Sequence, residues 1–258
     1  MTKEKRTVLF LIAMALTAIS LRGPIASVGS LIESMEPDLG VSKGQMGFIT
    51  TLPLLVFAVS SVLIPKFANT VGHIRVLAVG MVVLAAGCVG RTLGDYRVVL
   101  VGTLLVGVGI SVGNVLLPAV IKETLPLKIG VATGAYMCFQ SIAATAGAGL
   151  SYPIAVSADL GWRTVLSMWS VPAALAAVAW VTFEVIRGTR KTESDRVLPD
   201  EGEGGVASSS VWKSKLAWFI TVIMGVQSVN YYCFTAWLPS ILEETGMSFQ
   251  VAGYIASA

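Results

Sequence analysis

"TVLFLIAMALTAISLRGPIASVGSLI", residues 7–32, decides the fold class. It carries a single charge, Arg22, flanked by the uncharged runs Thr7 to Leu21 and Gly23 to Ile32. A bilayer core about 30 Å thick is crossed by a helix of about 20 apolar residues. The stretch therefore reads as a membrane-spanning helix with a guanidinium in its interior. That group stays protonated at neutral pH, and a charge at mid-span costs about 2.5–3.5 kcal/mol on insertion scales. The basic start "MTKEKR" and an Ala13-x-Ala15 pattern have the outline of a secretory signal. Cleavage there would leave too short an apolar stretch, and the run continues past Arg22, so it reads as an uncleaved first span.

Working outward, the same pattern recurs. The 258 residues are 55% hydrophobic and 13% charged, with mean hydropathy +0.78. Soluble domains carry roughly 25% charged residues, so this composition cannot furnish a water-facing surface. Spans are expected at 7–33, 45–64, 74–93, 97–121, 130–157, 162–186 and 216–240, and "GMSFQVAGYIASA" begins an eighth. The class is an all-α membrane protein. Cys88, Cys138 and Cys233 fall in separate apolar runs and the single histidine, His73, in a loop. That argues against a disulfide framework and a metal site.

Basic residues orient the spans, because cytoplasmic loops hold the excess of Lys and Arg. With the N-terminus inside, thirteen fall on inner segments and four on outer ones, namely Lys43, Arg91, Arg97 and Arg163. The expectation is a multi-pass protein of the cytoplasmic membrane with its N-terminus in the cytoplasm. The stretch 187–215, "RGTRKTESDRVLPDEGEGGVASSSVWKSK", mixes both charge signs with Gly and Ser and lacks apolar periodicity. Such a segment buries too little surface to order itself, and its mixed charge gives no nucleic-acid tail. The chain thus divides into a six-helix half over 1–186, a disordered cytoplasmic linker over 187–215 and the start of a second half over 216–258. Two six-helix halves, each a pair of inverted three-helix repeats, is a known transporter layout; spans 1, 4 and 7 then occupy equivalent positions.

Candidate site residues lie in those spans. Arg22 is eleven residues from Glu33, or about 16 Å along a helix, too far to reach an interface comfortably. Its remaining readings are anion recognition or cavity gating, and a structural ion pair with a buried carboxylate. Gly23 and Pro24 follow it, and the proline ring opposes the Ser20 carbonyl, so a kink or hinge is expected there. In span four, Gly109 and Gly113 form a small-xxx-small pair suited to close helix approach. Asn114 is polar at mid-span, and Gly113 and Pro118 give a second candidate hinge; hydrogen bonding between helices and solute contact both fit Asn114. Span five offers Tyr136 and Gln140, four apart on one face, with Gln140 a solute contact or a structural group. Span seven offers Gln227, Asn230 and Tyr231 in "GVQSVNYYCF". Trp162, Trp169 and Trp180 fit interfacial anchoring or packing. No deep carboxylate pair, nucleophile–base set, phosphate loop or metal-ligand spacing is present, so neither an enzyme nor a cofactor is expected.

Several segments resemble a branch of the major facilitator superfamily, the cyanate and 2-nitroimidazole transporter family. They are "SLRGPIASVGSL", "TTLPLLVFAVSSVLIPKFA", "GVGISVGNVLLPAVIKETLP", "GWRTVLSMWSVPAALA" and "MGVQSVNYYCFTAWLPSILEETGMS". The resemblance implies a twelve-helix bundle with a complete N-terminal half, helix 7 and the start of helix 8 in this chain. It also implies alternating access around a cavity lined by spans 1, 4 and 7, with Arg22, Asn114 and the Gln227–Tyr231 segment near it. Ser20 stands where the family often has Asn. In the loop after span two, Pro65, Asn69 and Thr70 replace the superfamily's Gly, Asp and Arg, while Gly72, Lys66 and Arg75 leave it basic. The function expected is a secondary transporter for a small solute, with anions favoured by Arg22; substrate, direction and coupling ion are not assigned. On this layout about a third of the transporter lies beyond the sequence, and the alternative is a non-transporting sensor or partner subunit derived from a transporter. The expected partners are that solute and the lipid bilayer.

Overall fold

The computed structural model describes residues 3–188 and 214–246, with 251 and 255 beyond them. The linker expectation falls mainly on 189–213, outside the described residues; of the eighth span only single positions are described. The elements are α1 (Lys3–Leu39), α2 (Lys43–Val71), α3 (His73–Gly90), α4 (Tyr96–Thr124), a 3₁₀ turn (Pro126–Lys128), α5 (Ile129–Ser157), α6 (Gly161–Met168), α7 (Ser170–Gly188) and α8 (Lys215–Glu244). No strand occurs among the described residues. Among the described residues six helices, with α6 and α7 counted as one, are long and apolar enough to cross a membrane.

Local chemistry sets the corners. α1 outlasts its apolar run and ends where Gly40 takes a left-handed φ of 63°, a conformation that suits glycine. Ser42 then starts α2 with a reciprocal capping box to Gln45, satisfying two otherwise orphaned amides. Gly72, at φ 107°, turns α2 into α3 without a spare residue. Asp95 caps α4 by accepting from the Val98 amide. The expected single span at 162–186 is interrupted at Trp169, because Pro172 has no amide hydrogen to return to the Met168 carbonyl.

The packing partners obey a symmetry. α1 packs on α5 and α7, α4 packs on α2 and α3, and α3 packs on α7. Exchanging the first three spans for the second three turns each of these pairs into another, or into itself, as inverted repeats require. Glycines set the tightest approach, between α3 and α4. A Cβ on Gly109 would lie 2.6 Å from the Leu84 Cβ and 2.8 Å from the Gly80 carbonyl.

Two apolar clusters fill the interior. One, around Phe10, Leu77, Met81, Trp180 and Phe183, includes an edge-to-face pair of Phe10 and Trp180 at 5.7 Å. The other gathers Leu31, Met35, Met46, Ile49 and Leu166 near the opposite end. Hydroxyls within the helices donate to their own backbone, as Thr17 does to Ala13 and Ser111 to Gly107, which removes unpaired donors from an apolar setting. Exposed valines such as Val79, Val82, Val178 and Val181 form the outer face expected of spanning helices.

Candidate functional site

Arg22 is half-buried in α1, and its setting is built from the residues on either side of it. Leu21 packs into the space left by Gly113, where a Cβ would lie 2.3 Å from a Leu21 methyl. That contact brings Asn114, the next residue of α4, to the level of Arg22. On α5, the Tyr136 hydroxyl lies within electrostatic reach of Arg22. One turn further, the buried Gln140 donates from Nε2 to the Asn114 Oδ1 at 3.3 Å. Arg22, Asn114, Tyr136 and Gln140 are thus gathered from three helices. Asn114 makes an interhelical hydrogen bond, and Gln140 is its partner.

Gly23 faces another way. A Cβ there would lie 2.2 Å from the Trp169 ring, which rests on the bare backbone at the break between α6 and α7. The Trp169 indole donates to Ser27 Oγ at 2.7 Å, and Ser27 donates in turn to the Gly23 carbonyl at 2.9 Å. Gly147 of α5 closes the same spot, where a Cβ would come within 2.8 Å of that carbonyl. α1 remains helical through Gly23 and Pro24. Pro118 is exposed on α4, which is helical through it as well.

The structure does not bring Gln227 and Asn230 of span seven into this group. Gln227 and Asn230 are exposed on α8 and line, with Val222, Ile223 and Val226, an open recess of about 470 Å³. The side chain of Tyr231 lies outside the described residues. α8 does meet the bundle near its end, where the Trp237 ring is 3.1 Å from the Cβ position of Gly47.

Arg91, read from the sequence as an outer-loop residue, is 1% exposed. It donates from Nη1 to the Pro24 carbonyl at 3.0 Å and from Nη2 to the Leu166 carbonyl at 3.4 Å. The signal that could have found it is the glycine at position 102 on the facing helix. A Cβ there would fall 2.3 Å from the Arg91 amide nitrogen, so the end of α3 sinks against α4. Trp180, fully buried, donates to Thr17 at 2.8 Å; of its two readings, packing holds.

The expected loop after span two is helical: Pro65, Asn69 and Thr70 lie in the last turns of α2, because the helix runs to Val71 and only Gly72 separates it from α3. This corner is tied by other groups. Glu123 of α4 accepts from His73 and lies 4.0 Å from Arg187, and the Arg75 Nε donates to Glu184 at 3.1 Å. Asn69 lies 3.2 Å from the other ring nitrogen of His73. Among the described residues no three His, Cys, Asp or Glu side chains converge as metal ligands.

The helical bundle of the described residues has counterparts among known proteins. Residues 7–258 match the family model described as Major Facilitator Superfamily. The chain belongs to that family. It is a family of transporters rather than enzymes, and the chain is a multi-pass membrane protein. It is 38% identical to the "Uncharacterized transporter YycB" of Bacillus subtilis, over 93% of this chain and 57% of that protein. It is 31% identical to the 2-nitroimidazole transporter of Escherichia coli, over 96% of this chain and 61% of that one. The cyanate transport protein CynX of the same organism shares 26%, over 94% and 61%. A crystal structure of a D-xylose-proton symporter shares the fold, with TM-score 0.65 and 15% identity, over 97% of this chain and 64% of that one. The chain thus spans about three fifths of the length of the curated relatives it matches.

Proposed function

We propose that the chain forms the N-terminal half and the beginning of the second half of a secondary transporter for a small anionic solute. The observation that carries this reading is the half-buried Arg22 on α1, within electrostatic reach of Tyr136 on α5 and at the level of the Asn114–Gln140 pair. A mid-span guanidinium is expensive to bury, and an anion offsets it through charge-assisted hydrogen bonds. Neutral donors and acceptors around it fix the orientation of a small polar solute without competing for its charge. A relative named as a cyanate transport protein supports an anion as the class, and a 2-nitroimidazole transporter gives the alternative cargo to compare. In this reading the protein sits in the cytoplasmic membrane with its N-terminus inside. It alternates access as one half rocks against the other, and Gly23, Pro24, Gly113 and Pro118 are the hinge candidates. Gln227, Asn230 and Tyr231 reach the solute from the second half.

The test is uptake by the full-length protein in liposomes, with cyanate and 2-nitroimidazole as separate cargoes. Arg22→Ala is expected to abolish cyanate uptake and Arg22→Lys to reduce it. Unchanged uptake of both cargoes in both variants would defeat the role assigned to Arg22.

A further inference from the structure

Arg91 is the only buried charged side chain among the described residues. Two of its nitrogens are satisfied by the Pro24 and Leu166 carbonyls, but its buried Nε finds no hydrogen-bond partner among the described residues. Its charge is opposed by backbone: it follows the last residue of α3, and Leu166 lies in the last turn of α6. Both helix ends carry partial negative charge. That leaves the Nε proton, and a buried donor without an acceptor bears its whole desolvation penalty.

A cavity of about 10 Å³ lies beside it, lined by Arg91, Thr50, Thr103 and the apolar side chains of Pro24, Val28 and Val106, among others. This volume is at the lower bound for holding one water. The hydroxyls have committed their protons, Thr50 to the Gly47 carbonyl at 2.9 Å and Thr103 to the Val99 carbonyl at 2.7 Å. Each oxygen keeps a lone pair. The lining residues therefore include one with an unpartnered N–H donor and two with hydroxyls able to accept. Water, which accepts and donates twice, complements that set. An anion brings no proton for the two hydroxyl oxygens, and cyanate exceeds the space.

We propose that one buried water occupies this cavity, accepting from Arg91 Nε and donating to the Thr50 and Thr103 hydroxyl oxygens. Through it α2 and α4 join the guanidinium that already holds α1 and α6, so four helices meet at one side chain. The site is separate from the solute reading of Arg22 and does not depend on it.

The test uses the full-length protein in detergent. A structure at about 2 Å, fine enough for ordered waters to be placed, is expected to show one water on Arg91 Nε; a dry cavity or a bound anion overturns the proposal. Thermal unfolding gives a second arm. Thr103→Val is expected to lower the midpoint by about 2–4 °C, and by clearly less in an Arg91→Lys background. Equal losses in both backgrounds, or none in either, overturn it. Where Arg91→Lys fails to fold, Thr50→Val and Thr103→Val are combined instead. Losses smaller than additive show that both hydroxyls share one water, and additive losses contradict that.

Discussion

The bare backbone of Gly23 lies against the indole of Trp169, so that a Cβ at Gly23 would sit 2.2 Å from the ring. The same indole donates to Ser27, one turn along α1. The residue next to Arg22 is therefore clamped by the break between α6 and α7. Gly23→Ala is expected to force the ring aside, at the roughly 1–3 kcal/mol typical of overpacking. Trp169→Phe removes the indole N–H, with an expected loss of about 1 kcal/mol. Thermal unfolding of both variants checks the order, and a Gly23→Ala protein as stable as the wild type would refute the clamp.

Gly109 faces α3 at backbone distance, whereas a Cβ on Gly134 of α5 would meet nothing within 4 Å. Gly109→Ala is expected to destabilise by about 1–3 kcal/mol. Gly134→Ala should be neutral or stabilising, by up to about 1 kcal/mol from helix propensity. The pair separates close packing from a general intolerance of added methyls, and unfolding midpoints read it directly.

How much of this was legible in the sequence varies by element. The spans follow from charge-free runs, because length and hydropathy alone decide membrane crossing. The tail of α1 does not: Glu33, Glu36 and Asp38 break the apolar run, yet the helix continues to Leu39, since backbone hydrogen bonding needs no apolar face. Asn114 and Gln140 stood out as polar residues in spans. Their pairing depends on how α4 meets α5, which no single span records. Arg91 was read as a loop cation because it ends an apolar run; its burial comes from Gly87 and Gly102, whose missing side chains let α3 and α4 touch. Arg22 was singled out by its charge, and its proximity to Tyr136 required the α1–α5 contact.

Glu123 joins His73 and Arg187 at the corner between α2 and α3, yet all three side chains are between 27% and 38% exposed. Ion pairs this accessible contribute about 0–1 kcal/mol. Glu123→Gln is thus expected to lower the unfolding midpoint slightly at low salt and not measurably at about 1 M salt, where screening acts over about 3 Å. A large loss that persists at high salt would mean the cluster is a structural latch.

The central claim, that Arg22 receives the negative charge of the solute, is tested most directly by equilibrium binding. Cyanate would be titrated into the detergent-solubilised full-length protein and its Arg22→Gln variant, with the heat of binding recorded. A hydrogen bond to a charged group contributes about 1.5–3 kcal/mol, so Kd is expected to rise roughly 10- to 100-fold in the variant. Cyanate binding with the same Kd in both proteins would contradict the assignment.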